Sequence, residues 1–185
     1  MTCIVGIETE DGAVLGGDSA AARSSHIHSI ENEKVFRIPG GAGVGYTTSF
    51  RMGQILKRDF EYSPPRNENL IDNFIEEAIP QVREFFDEAG YLKEDSKRES
   101  GGIFLVAAKG KVLKVQKGFG VIRSSRGYDA IGSGFKQALG SLHTTESFDV
   151  NPKQRVEMAL EAAAHSGKSV SPPFTIKSFG YEPIR

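Results

Sequence analysis

Residues 2–18, TCIVGIETEDGAVLGGD, decide the fold. CIVGIE at 3–8 alternates and is rich in β-branched side chains, the pattern of a strand. EDG at 10–12 is a hairpin turn signal, and AVLGGD at 13–18 is the returning strand. Gly16 and Gly17 in that return imply close packing or a ligand near the backbone.

The same grammar repeats downstream. KVFRI at 34–38 and GVGYT at 43–47 form a second hairpin across PGG. SAAARSSHIHS at 19–29, between the hairpins, reads as a loop or irregular edge. The period then changes: Met52, Ile55, Leu56 and Phe60 fit a helix running from Phe50 to Tyr62, with Ser49 as N-cap. SPPRN breaks it, and residues 68–89 read as a second long helix, bent near Pro80. Its stripe of Leu70, Phe74, Ile75, Ile79, Val82, Phe85 and Phe86 fits a core and subunit contact. A charged loop covers 90–102. Strands resume at 102–108, 111–116 and 119–123. AIGSG at 130–134 leads into a helix at 135–144, NP at 151–152 starts another over 153–165, and a last strand covers 174–179. Two sets of strands, each followed by a helix pair, predict an α+β fold: a four-layer αββα sandwich of two antiparallel sheets flanked by helices, in one domain, 1–185. Pattern alone admits a generic α+β domain as well.

Composition narrows the function. The chain has 185 residues and a formal net charge of −1, so no global field favours nucleic acid or an anionic membrane. Its apolar runs are strand-sized, far below the roughly 20 residues of a membrane span. The first 15 residues lack the pattern of a signal peptide. A single cysteine, Cys3, forms no internal disulfide, which fits a reducing cytoplasm.

The chemistry concentrates at the start. If Met1 is removed, Thr2 carries a hydroxyl beside a free α-amine whose ordinary pKa is about 8. A threonine paired with its own amine is an activated nucleophile. With Met1 attached, that nitrogen is an amide and no base, so trimming is the activating step. The first hairpin returns Asp18 towards residue 2, and Lys34 opens the next strand. A lysine there disfavours protonation of the amine and stabilises negative charge on the threonine oxygen, with Asp18 holding it. On spacing alone, the same residues read more simply as a turn acid, a solvated strand end and an ordinary terminus. Cys3 lies on an alternating strand that buries such a thiol or turns it away from reaction. His26 and His28 share a strand face but lack an evident third metal ligand. GGAGVGY at 40–46 lacks the Lys-Ser/Thr of a phosphate loop.

TCIVGIETEDGAVLGGDSAA followed by EKVFRI resembles the start of the proteasome β-type and bacterial HslV-type N-terminal nucleophile (Ntn) hydrolases. GGIFLVAAKGKVLKV at 101–115 is similar to that family's central hairpin. YDAIGSGFKQALGSL at 128–142 is similar to the segment carrying its supporting serine, here Ser133. The resemblance implies the αββα fold and a cytoplasmic threonine-type peptidase. Thr2, Asp18, Lys34 and Ser133 would be its catalytic residues, with no cofactor and no metal. It further implies peptide or unfolded-protein substrates, a homo-oligomeric ring or spiral and, for energy-dependent relatives, an unfolding ATPase. Backbone N–H groups around Thr47, Thr48 and Ser49 would bind the oxyanion. Asn32, Tyr46 and Phe50 would wall the specificity pocket between the third and fourth strands. Two departures stand out. Relatives carry glycine near the position of Thr48. They also carry a late aspartate, then a serine, bracing the terminal amine, where AAAHSGKSV offers only His165, Ser166 and Ser169. These departures leave an inactive scaffold or assembly protein as the second reading.

Overall fold

The opening stretch folds as a hairpin. β1 (Cys3–Thr9) and β2 (Gly12–Asp18) pair antiparallel, with Thr9 opposite Gly12 and Ile4 opposite Gly17. The computed structural model describes residues 2–23, 26–29, 33–65, 69–166 and 170–180. The segment read as an irregular loop is a second hairpin, β3 (Ala20–Arg23) with β4 (His26–Ser29). Its AAAR and HIHS sequences carry little of the apolar alternation that marks a half-buried strand. β5 (Val35–Arg37) and β6 (Gly43–Tyr46) follow, paired as their spacing predicts.

Helix α1 (Phe50–Asp59) stops before the expected Tyr62 because Phe60 is already extended. Ser49 precedes α1 without a side-chain capping bond. The long helix is made of α2 (Leu70–Asn73), a π-helical turn (Phe74–Ala78) and α3 (Ile79–Glu88). Its irregularity lies just before Pro80, which has no N–H to return to the preceding turn. The charged loop contains an exposed hairpin, β7 (Lys93–Asp95) with β8 (Arg98–Ser100). Ser96 and Lys97, both at positive φ, form its tight turn.

Next come β9 (Phe104–Ala108), β10 (Lys111–Val115), β11 (Val121–Arg123) and β12 (Tyr128–Gly132). AIG at 130–132, which its sequence marks as a lead-in to the next helix, belongs to β12, a strand paired along β1. Helices α4 (Phe135–Thr144) and α5 (Pro152–Ser166) and strand β13 (Phe174–Gly180) complete the chain.

One sheet has the order β12-β1-β2-β13 and the other β11-β10-β9-β6-β5, all antiparallel. Three buried clusters show how they stack. Ile4, Leu15, Leu105, Val112 and Ile131 fill the space between the sheets. Val5, Val14, Leu142, Val156 and Leu160 join the first sheet to α4 and α5. Val44, Met52, Leu56, Phe74, Val82, Phe86 and Val106 join the second sheet to α1, the π turn and α3. The result is the four-layer αββα sandwich. The helical stripe is buried at Phe74, Ile79, Val82 and Phe86, while Ile75 is exposed.

Gly16 shows why the first hairpin carries glycine. A Cβ there would collide with Val156 on α5, so the helix lies directly on the strand backbone. Gly16→Ala is expected to cost about 1–3 kcal/mol by overpacking, read as a lower denaturant midpoint.

Candidate active site

Thr2 enters β1, Asp18 ends β2, and Lys34 precedes β5, so the chain threads all three to one end of the sandwich. The Lys34 ammonium donates to the Thr2 hydroxyl at 3.0 Å and to Asp18 Oδ2 at 3.1 Å. Asp18 Oδ1 accepts the Cys3 N–H at 2.9 Å. All three side chains are buried. Charges removed from water are tolerated only when paired and hydrogen-bonded, and this geometry meets that condition. Burial pushes the Lys34 pKa below that of an ordinary lysine, and the Asp18 carboxylate resists the shift. The Cys3 thiol is fully buried, and burial reinforced by Asp18 pushes its pKa up to about 12. It therefore stays a thiol at neutral pH, a poor nucleophile.

The backbone of Thr2 is fixed from the other side. Its carbonyl accepts the Ser133 N–H at 2.8 Å and the Ser133 hydroxyl at 3.4 Å. Gly132, at φ +94°, makes this approach possible: a Cβ there would fall on the Thr2 carbonyl oxygen. Gly132 is part of the site and was not singled out from the sequence, although it sits inside the quoted AIGSG.

Thr47, Thr48 and Ser49 form the facing wall. The Thr47 N–H donates to the Ile103 carbonyl and the Ser49 N–H to the Thr47 carbonyl. Among the described residues, no carbonyl accepts the Thr48 N–H. The Thr47 hydroxyl donates to the Ile103 carbonyl at 3.1 Å, so its contact with the Thr48 hydroxyl at 3.2 Å takes the proton from Thr48. Thr48 has φ +76°. A threonine thus holds the left-handed conformation that glycine adopts freely, which is genuine strain for a β-branched residue. Thr48→Gly is expected to raise the unfolding free energy by about 1 kcal/mol, measured by denaturant melts.

These groups open onto a cavity of about 590 Å³. Thr2, Lys34, Tyr46, Thr47, Thr48, Ser49, Phe50 and Ser133 all line it. So do Ile103, Lys114, Ile131, Gly132 and Phe135, which the sequence did not mark as site residues. A small second cavity, about 40 Å³, opens behind Tyr46 and Phe50 towards Phe36, Gln54 and Lys57. His165 and Ser166 are exposed at the end of α5 and line neither cavity. Asn32 and Ser169 lie outside the described residues, as do the side chains of His26 and His28. Among the described residues no group of three His, Cys, Asp or Glu side chains gathers as a metal site would. No helix among them is long and apolar enough to cross a membrane.

Comparison with known proteins agrees with this architecture. Residues 1–64 match the family model for proteasome subunits. The proteasome subunit beta of Nanoarchaeum equitans (strain Kin4-M) is 26% identical over 176 residues, covering 90% of this chain and 85% of that protein. Thiobacillus denitrificans BPH in complex with epoxomicin superposes with a TM-score of 0.83 at 20% identity, over 98% of this chain and 100% of that one. Eukaryotic HslV from Trypanosoma brucei superposes with a TM-score of 0.71 at 18% identity, over 97% and 100%. The resemblance read from the opening residues is borne out, and the fold is the Ntn-hydrolase sandwich of proteasome and HslV proteins.

Proposed function

From a chain folded as proteasome and HslV proteins are, we propose a threonine-type peptidase or amidase whose nucleophile is Thr2 after removal of Met1. The observation that carries this reading is the Lys34 ammonium, buried between the Thr2 hydroxyl and Asp18 at the mouth of a substrate-sized cavity. Thr2 Oγ attacks the substrate carbonyl carbon while its proton passes to the Thr2 amine, directly or through water. Lys34 stabilises the charge developing on Thr2 Oγ. Backbone N–H groups of the Thr47–Ser49 wall, with the Thr48 N–H foremost, receive the carbonyl oxygen as it becomes an oxyanion. The C–N bond then breaks, and the protonated amine delivers its proton to the leaving nitrogen. Water hydrolyses the resulting ester, releasing the acid and restoring the hydroxyl. Asp18 holds Lys34, and Ser133 holds the Thr2 carbonyl.

The pH profile follows from these roles. The Thr2 amine must be neutral, and the Lys34 ammonium disfavours its protonation, so kcat/KM rises with pH through a value below the ordinary α-amine pKa of about 8. Lys34 must be charged, and its pKa is lowered by burial, so activity falls again at a pH below 10.5. A bell-shaped profile is expected, checked by steady-state rates across this range.

Intact mass and covalent labelling test the reading. A processed protein lacks Met1 and is labelled by a peptide epoxyketone, which reacts with both a hydroxyl and a free amine. A processed protein that neither labels nor cleaves peptides is an inactive scaffold. The strained Thr48 and the absence of an aspartate in AAAHSGKSV favour that second reading. We further propose cytoplasmic self-assembly into a ring or spiral acting on peptides or unfolded chains. An unfolding ATPase would be its partner where cleavage is energy-dependent.

A further inference from the structure

We infer that Lys114 recognises a carboxylate on the leaving half of the substrate, an inference that rests on the peptidase reading above. Lys114 lies on β10 opposite Leu105 and shares its inward face, while Asp129 lies on β12 on the face of Ile131. The two side chains therefore meet in the space between the sheets. The ammonium donates to both Asp129 oxygens, at 3.0 and 2.9 Å. Lys114 lines the cavity and Asp129 does not. The pair is neutral as a whole but oriented: its positive end faces the cavity and its negative end stands behind.

Lys34 and Asp18 are arranged in the same sense. Both charged side chains among the described residues that line the cavity are thus cations, and no carboxylate lines it. A substrate anion entering here meets ammonium groups without an opposing acid. An ammonium has three N–H donors and Asp129 uses two of them, so the donor count of Lys114 permits one more bond.

The half of the substrate follows from the specificity wall expected at Tyr46 and Phe50. Tyr46, Phe50 and the Thr47–Ser49 backbone form one wall, beside the small second cavity. Lys114 comes from β10 of the second sheet, and Gly132, Ser133 and Phe135 come from the strand-to-helix junction of the first. With the acyl half seated on the Tyr46 and Phe50 wall, the leaving half lies along the other. The carboxylate is either an acidic side chain just after the scissile bond or the α-carboxylate of a single-residue leaving group. Both present the same chemistry to Lys114.

The test uses the processed enzyme and pairs of internally quenched peptides that differ only after the scissile bond. One pair compares Glu with Gln within a longer leaving group. The other compares a free with an amidated terminus on a one-residue leaving group. In the wild type at low salt, one acidic member is expected to exceed its neutral counterpart in kcat/KM by about tenfold, the weight of one partly screened charge-assisted bond. The pair that shows the preference identifies the source of the carboxylate. Salt weakens the preference by screening. Lys114→Arg retains it. Lys114→Gln combined with Asp129→Asn removes both charges together, so no buried carboxylate loses its cation, and it brings the ratio to about one. Ratios near one for both pairs in the wild type overturn the inference, as does a ratio unchanged in the double variant. A peptide epoxyketone, which occupies only the acyl side, reports separately on Thr2. Labelling with flat ratios overturns this inference alone, whereas absent labelling and cleavage overturn the peptidase reading and this inference with it.

Discussion

Thr2→Ala is expected to lower kcat/KM by about 10⁴-fold or more and to abolish epoxyketone labelling, while the protein still folds. The substitution removes only the attacking oxygen and a methyl group. Lys34 keeps its bond to Asp18, and the backbone bonds from Ser133 to the Thr2 carbonyl and from Cys3 to Asp18 do not involve the lost side chain. The melting temperature should therefore change little. Thr2→Ser keeps a hydroxyl beside an amine and is expected to retain labelling. A Thr2→Ala protein that cleaves peptides at the wild-type rate would place the nucleophile elsewhere. Cys3 is no substitute, since its thiol is buried and its pKa is pushed up to about 12.

Lys34→Met is expected to damage both chemistry and stability. It removes the cation beside the Thr2 oxygen, worth roughly 10²–10³ in kcat as other preorganised donors are. It also strips the cation from the buried Asp18 carboxylate, which costs about 3–5 kcal/mol when one partner of a buried pair is deleted. The two effects separate in the double variant Asp18→Asn with Lys34→Met. That protein should regain most of the lost stability, read by denaturant melts, and none of the activity. If Lys34→Met keeps full activity, Lys34 is a structural charge and no part of the chemistry.

The fold and the Thr2, Asp18, Lys34 cluster were legible because they rest on local rules. Alternating strands, a two-strand return and a further strand just after Lys34 leave little freedom in where these residues go. Other features were not legible, each for its own reason. β7 and β8 are built from polar residues of which none is buried, so they have no apolar face that would print an alternation. β12 was obscured by Gly132, which ends it, and by Gly134 just beyond. Lys114 shares the inward face of β10 with Val112, but a lysine in a strand gives no sign in the sequence that it points into the protein. Its inward direction depends on Asp129, a partner in the other sheet. Thr48 carried a steric warning in the sequence, but only the backbone shows that it keeps the left-handed conformation expected of glycine.

The peptide link between Thr2 and Cys3 is gripped at both ends, its oxygen by Ser133 and its nitrogen by Asp18. Neither grip uses the atoms released when Met1 departs. On the proposed mechanism, latency is therefore a property of one covalent bond rather than of shape. The precursor and the mature enzyme should superimpose around the site, and a reagent that senses surface contour alone would be blind to the difference. At the site itself, chemistry that needs a free amine on the same residue as the hydroxyl tells them apart.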